Sequence, residues 1–159
     1  MEFELLRGLT AREAEQVLAL SVRMTIPSGG SLFRLGDPAE RLYLIERGRI
    51  RLSFPLLLRG QHEDVVLEEK TPGETVGWSA MVPPYRFTLS ATAPLETEVI
   101  ALHREALSAF SAAVPEIGCR VSFNLAVLVG QRLQLVQTMW MREMQRTVEL
   151  HSAHLAAVQ

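Results

Sequence analysis

The alternation of apolar and polar positions divides the chain into three stretches. Residues 10–24 open on Thr10, followed three residues later by Glu13, and then place Ala14, Val17, Leu18 and Ser21-Val22 on one side at helical spacing. This predicts a capped amphipathic helix. From Ile26 the pattern changes to short apolar runs separated by turn signals: Ser28-Gly29-Gly30, Gly36-Asp37-Pro38, Glu46-Arg47-Gly48, Arg59-Gly60-Gln61, Pro72-Gly73 and Pro83-Pro84. Turn signals spaced about ten residues apart predict an antiparallel β sandwich or barrel over 26–102, its last strand being 98–102. Within it, Leu42 and Leu44 and then Ile50 and Leu52 make one face apolar at period two on either side of the polar turn 46–49. That pattern predicts a tight hairpin.

The third stretch is helical. A short helix is predicted over 103–110, and Pro115 stands where the first turn of a longer helix accommodates it. From 116 to 151 no proline occurs and only Gly118 and Gly130 interrupt, so the helix would extend about 54 Å, too long for a small barrel. Two apolar stripes run along it. Val121, Leu125, Leu128, Leu135 and Met139 form one, and Val129, Leu133, Val136, Trp140 and Met144 form the next face round. Stripes this broad exceed what one contact surface needs. One side is expected to pack on the barrel and the other on a second copy of the same helix, giving a two-fold homodimer with Val129, Leu133, Val136, Trp140 and Met144 at the interface. The alternative is that both stripes form the core of a monomer. Residues 151–159 are expected to fray.

Composition narrows the functional classes. At 159 residues the chain suits one domain, with 48 % apolar residues and a core of Leu, Val and Ala rather than aromatics. No apolar run reaches the roughly 18 residues that cross a bilayer, and no cleavable leader pattern is present, so the expected location is cytoplasmic, away from the membrane. Sixteen basic against eighteen acidic residues argue against a dedicated nucleic-acid binder. Cys119 is the single cysteine, which rules out an internal disulfide, a multi-cysteine metal site and a four-cysteine iron–sulfur cluster, and a buried structural thiol is expected. No nucleophile, base and orienting carboxylate fall into a local catalytic pattern, so no enzyme is expected. His151 and His154, with Glu149, have metal-ligand spacing but are expected to face solvent.

The run Leu32-Phe33, Gly36-Asp37-Pro38-Ala39, Leu42-Tyr43-Leu44-Ile45, Gly48, Ile50 resembles the opening of a cyclic-nucleotide-binding domain. The order of helix, eight-stranded barrel, short helix and long helix is similar to the sensor domain of the catabolite-activator and FNR superfamily, over residues 10 to 145. The resemblance implies a mainly β fold with helices: an antiparallel β-barrel or jelly roll (double-stranded β-helix), flanked by an N-terminal helix and a long C-terminal dimerisation helix. It also implies a ligand cassette. Gly73-Glu74 matches the family's first glycine–acid pair and Gly77-Trp78 falls on the second, with tryptophan where the family has glutamate. That glutamate accepts a hydrogen bond from the ribose hydroxyl, and an indole N–H only donates. Its loss costs on the order of 1–3 kcal/mol, with Trp78 either plugging the cavity or stacking on a ligand.

Arg86 is the candidate for the family's phosphate-binding arginine, since its planar fork pairs two phosphate oxygens. It falls one position early, so Phe87 competes for the slot, and a surface role or a pair with Glu74 or another acidic neighbour is the alternative for Arg86. Backbone amides of Ser79 and Ala80 and the hydroxyl of Thr88 are further candidates. Val136 and Gln137 occupy the positions of the family's base-contacting hydroxyl residues. Together these departures predict a module that does not bind cyclic AMP in the family manner: a regulatory sensor of a cyclic nucleotide or another small anionic effector, or a ligand-free dimeric scaffold with a plugged pocket. An unidentified protein partner would read either. The family's helix-turn-helix segment of roughly 70 residues is not among these residues, so this chain alone is not expected to bind DNA.

Overall fold

The computed structural model describes residues 2–58 and 60–157, with the side chains of residues 58, 62 and 151–157 outside that description. These residues fall into two units, one running to Leu125 and one starting at Ala126.

The first unit begins with a 3-10 turn, Glu4–Leu6, followed by helix α1, Ala11–Leu18. The expected capping box is formed: the Glu13 N–H donates to Thr10 Oγ1 at 3.3 Å and the Thr10 N–H donates to Glu13 Oε2 at 2.7 Å. Thr10→Ala should therefore cost about 1 kcal/mol in a urea unfolding experiment, with Thr10→Ser retaining most of it. The helix ends at Leu18 rather than continuing to Met24. The Ser21 hydroxyl donates to the Leu18 carbonyl at 2.6 Å, and from Ser21 onward the chain is extended as strand β1, Ser21–Ile26. Val22, Thr25 and Ile26 are β-branched and fit a pleated surface better than a helix. Their ladder runs in register from Ser21↔Leu102 to Ile26↔Thr97, and this pairing outweighs the helical periodicity.

The remaining strands are β2 Ser31–Phe33, β3 Arg41–Arg47, β4 Ile50–Leu58, β5 Gln61–Lys70, β6 Thr75–Val76, β7 Ser90–Thr92 and β8 Thr97–His103. They form two antiparallel sheets, ordered β1-β8-β3-β6 and β2-β7-β4-β5. This is a jelly roll of two facing sheets and not a closed barrel. Phe33 of β2 and Tyr43 of β3 stack with ring centroids 5.9 Å apart, marking the inner faces. Alternation and register then place Ile45, Val99 and Ala101 beside Tyr43, and Leu52 and Ala91 beside Phe33. Leu42, Leu44, Ile100 and Leu102 take the other face of the first sheet and are also buried. Helix α2, Arg104–Ala113, packs on β8, with His103 as its N-cap and Leu107 buried.

The tight hairpin expected across 42–52 is not formed, because β3 and β4 belong to different sheets. The two strands are apolar for different reasons, β3 because Leu42 to Ile45 are buried on both of its faces and β4 because Leu52 turns inward, yet two strands of one hairpin present the same pattern. The turn 46–49 is instead the place where the chain passes from one sheet to the other. Gly48 takes φ +93° there. Thr97, fully buried, fastens the turn: its hydroxyl accepts from the Arg49 N–H at 3.1 Å and shares its proton between the carbonyls of Arg49 and Leu95, at 2.9 and 2.8 Å. The long hairpin is β4–β5, paired from Ile50↔Lys70 to Leu58↔Gln61. Arg59, in its predicted turn, lies outside the described residues.

Helix α3, Pro115–Ala157, continues past His151, where fraying was expected, and Val158 and Gln159 lie outside the described residues. Ile117, Val121 and Asn124 of its first turns are buried in the first unit. Cys119 is exposed, not buried, because it lies on the side of these turns away from Ile117 and Val121. In the second unit Leu133, Val136, Trp140 and Met144 are 56, 47, 64 and 46 % exposed and Val129 is half-buried. Leu135 and Met139, on the other stripe, are exposed as well. Among the described residues no helix is long and apolar enough to cross a membrane.

Candidate ligand cassette

The segment that the resemblance marks as a cassette starts after β5. Gly73, at φ +92°, and Glu74 bridge β3 to β6 through the backbone: the Gly73 N–H donates to the Ile45 carbonyl and the Ile45 N–H to the Glu74 carbonyl, both at 2.9 Å. The Glu74 carboxylate does not enter the space between the sheets. It accepts from the Thr71 N–H and hydroxyl at 2.7 and 2.8 Å and from Lys70 Nζ at 3.1 Å. Burial pulls its pKa up, but these three donors together outweigh that and hold the carboxyl below the usual carboxylate range.

Strand β6 ends at Val76, and Gly77, with a left-handed φ of +81°, turns the chain into a 3-10 turn, Trp78–Met81. This position requires glycine: a side chain would press on the Arg41 carbonyl and on the rings of Phe87 and Tyr43 at 3.2 to 3.3 Å. The candidate residues separate here. Ser79 and Ala80 are packed inside, Trp78 is half-buried, and Thr88 is exposed. Val136 and Gln137 are exposed residues of the second unit.

Arg86 and Phe87 compete for the arginine slot, and the backbone decides which of them turns inward. Loop 34–39 and loop 85–87 are laced together: the Gly36 N–H donates to the Phe87 carbonyl, the Phe87 N–H to the Asp37 carbonyl and the Ala39 N–H to the Tyr85 carbonyl, at 2.8, 3.0 and 2.8 Å. This register leaves Arg86 exposed, its Nη1 donating to the Gly36 carbonyl at 2.7 Å. With Arg86 on a carbonyl and Glu74 on Thr71 and Lys70, the pair weighed between them is not formed. Phe87 points inward, 5 % exposed, and stacks on Phe33 with centroids 3.8 Å apart and planes 9° from parallel.

The walls around Gly77 are therefore apolar. Tyr43, Val76 and Ala101 line the side of the first sheet, and Phe33, Ala91 and Leu52 that of the second, with Phe87 between them. Burial raises the Tyr43 phenol above its ordinary value, so this ring stays neutral at physiological pH. Phe33, Tyr43 and Phe87 thus form an aromatic group on these walls, beside the half-buried Trp78 of the cassette turn. The signal for it was faint, a phenylalanine beside the arginine and another before the Gly36 turn.

These observations acquire a context from known proteins. A family model described as "Cyclic nucleotide-binding domain" matches residues 23–113. The cyclic AMP receptor protein of Thermus thermophilus is 34 % identical over 130 residues, covering 82 % of this chain and 57 % of that protein. The crystal structure of the Thermus thermophilus catabolite activator protein gives a TM-score of 0.73 at 31 % identity, covering 86 % of this chain and 61 % of that one. The N-terminal domain of a transcriptional regulator from Streptomyces coelicolor A3(2) shares the fold, with a TM-score of 0.70 at 22 % identity over 84 % of this chain and 91 % of that one. This chain thus spans less than two-thirds of the length of the Thermus relatives. Because the family model covers more than half of the residues and the Thermus receptor aligns across most of the jelly roll, the chain belongs to the cyclic nucleotide-binding domain family and is a homologue of the catabolite-activator regulators.

Proposed function

We propose that this chain is a regulatory module that has replaced the family's grip on cyclic AMP with an aromatic-filled cassette, and that it signals as a homodimer through α3. The observation that carries the reading is the exchange at 86–87: the cation faces solvent on the Gly36 carbonyl, and the ring of Phe87 occupies the interior. A cyclic phosphodiester carries a negative charge, and burying it against Phe33, Tyr43, Val76 and Leu52 without a paired cation or donor costs several kcal/mol. Trp78, in place of the ribose-binding acid, removes a second contact. The output surface is the exposed Leu133, Val136, Trp140, Met144 seam, which repeats at three- and four-residue spacing and is self-complementary about a two-fold axis.

Thermal melts in the presence of cyclic AMP, cyclic GMP and a cyclic dinucleotide test this. A nucleotide at a hundred times its dissociation constant stabilises a protein by about 2.7 kcal/mol, a shift of several degrees for a chain of this size. The expected result is no saturable shift with cyclic AMP up to millimolar concentration. A saturable shift that disappears in Arg86→Ala would overturn the reading and restore a sensor of anionic effectors, with Arg86 swinging inward to meet the phosphate.

A further inference from the structure

The first residues of the chain tie β6 and the first turns of α3 together within the jelly-roll unit. At one end, the Glu4 N–H donates to the Gly73 carbonyl at 2.9 Å, and the Thr75 N–H donates to Glu4 Oε1 at 2.6 Å. Glu4 therefore brackets Glu74 and holds β6, the strand that leads two residues later into Gly77. At the other end, Asn124 of α3, only 8 % exposed, donates from Nδ2 to the carbonyls of Leu5 and Arg7, both at 2.9 Å. Phe3, Leu5 and Leu6 of this segment are buried, so it is packed along its length.

Apolar packing alone would hold this segment without fixing its register, whereas directional bonds at both ends fix it. A part-buried carboxylate and a buried carboxamide are expensive to leave without partners, so each keeps its end of the strap in one place. The charges facing Glu4 are those of Lys70 and Glu74. Burial raises the Glu4 pKa, against the lowering effects of the Thr75 N–H and Lys70.

We propose that residues 3–7 form a strap that transmits displacements between the cassette and α3, with Glu4 and Asn124 as the positioning residues at its ends. This rests on the reading that the state of the cassette is expressed at the long helix. A shift of β6 and the Gly77 turn pulls on the Gly73 carbonyl and the Thr75 N–H. The strap carries that shift through Leu5 and Arg7 to Asn124, and thus to the helix that bears the exposed seam.

Hydrogen exchange on the full chain without nucleotide tests the strap separately from the ligand reading, since no titration enters it. In Asn124→Ala, amides of 75–82 should exchange about tenfold faster, while the β4–β5 hairpin keeps its wild-type rate. From the other end, Glu4→Ala should accelerate exchange at 120–125 of α3, and Glu4→Gln, which keeps the acceptor oxygen, should restore slow exchange there. Acceleration confined to residues 3–7 shows that the ends are independent and overturns the proposal. A uniform rise that includes β4–β5 marks a packing role only and overturns it as well. Should Asn124→Ala not fold, the Glu4 pair decides alone.

Discussion

Replacing Leu133 and Trp140 together with glutamate should convert a dimer into a monomer in sedimentation velocity, with the far-ultraviolet helical signal unchanged. Both side chains are more than half exposed on the single chain and lie seven residues apart, two turns along the same seam. Burying each at a helix–helix interface contributes roughly 2–3 kcal/mol, and two-fold symmetry makes each change count twice. The substitution also brings four carboxylates to one seam, where like charges repel. A weakening of the dissociation constant by at least about a thousandfold, or ~4 kcal/mol, follows. Glutamate forms helices well, so α3 itself should persist. An unchanged sedimentation coefficient would place the interface elsewhere and remove the output surface from the proposed function.

The parts of this structure that sequence alone reveals are those set by local chemistry. Thr10 and Glu13 announce the start of α1 because both halves of the capping box lie within one turn. Glycine and proline turns mark the strands because each turn must place a particular backbone conformation at a particular residue. Long-range choices are hidden for physical reasons. Ser21 and Val22 satisfy both a helical and a pleated pattern, and the partner that decides, β8, lies some 75 residues away. Leu42, Leu44, Ile50 and Leu52 declare an apolar face but neither which sheet owns it nor that Leu42 and Leu44 lie on the face of the first sheet opposite Tyr43. At 86–87 one residue of register exchanges a cation for a phenyl ring, because successive side chains of an extended segment point to opposite sides. The bonds from Asn124 to Leu5 and Arg7 join residues more than 110 positions apart. A single asparagine among the apolar positions of a helix hints that something polar meets it, without saying what.

Gly48→Ala should be the most damaging single-methyl change outside the core, lowering stability by about 3 kcal/mol or more. Two effects add. The φ of +93° lies in the left-handed half of backbone space, which costs an L-residue roughly 1–2 kcal/mol. The new methyl would also collide with the Thr97 hydroxyl, and would stand 2.7 Å from the Thr97 Cα and 2.8 Å from the Glu96 carbonyl. Two of these three are backbone atoms that no rotamer change moves aside, so the strain falls on the crossing between the sheets and on the Thr97 hydrogen bonds that fasten it; overpacking of this kind typically costs about 1–3 kcal/mol. Gly29→Ala isolates the first effect, because Gly29 has φ +78° and nothing within 4 Å of an added Cβ. Urea unfolding at one fixed protein concentration should therefore show Gly29→Ala losing about 1–2 kcal/mol and Gly48→Ala losing clearly more. Equal losses would mean that the crossing yields to a side chain, and that Thr97 does not lock the two sheets together at this turn.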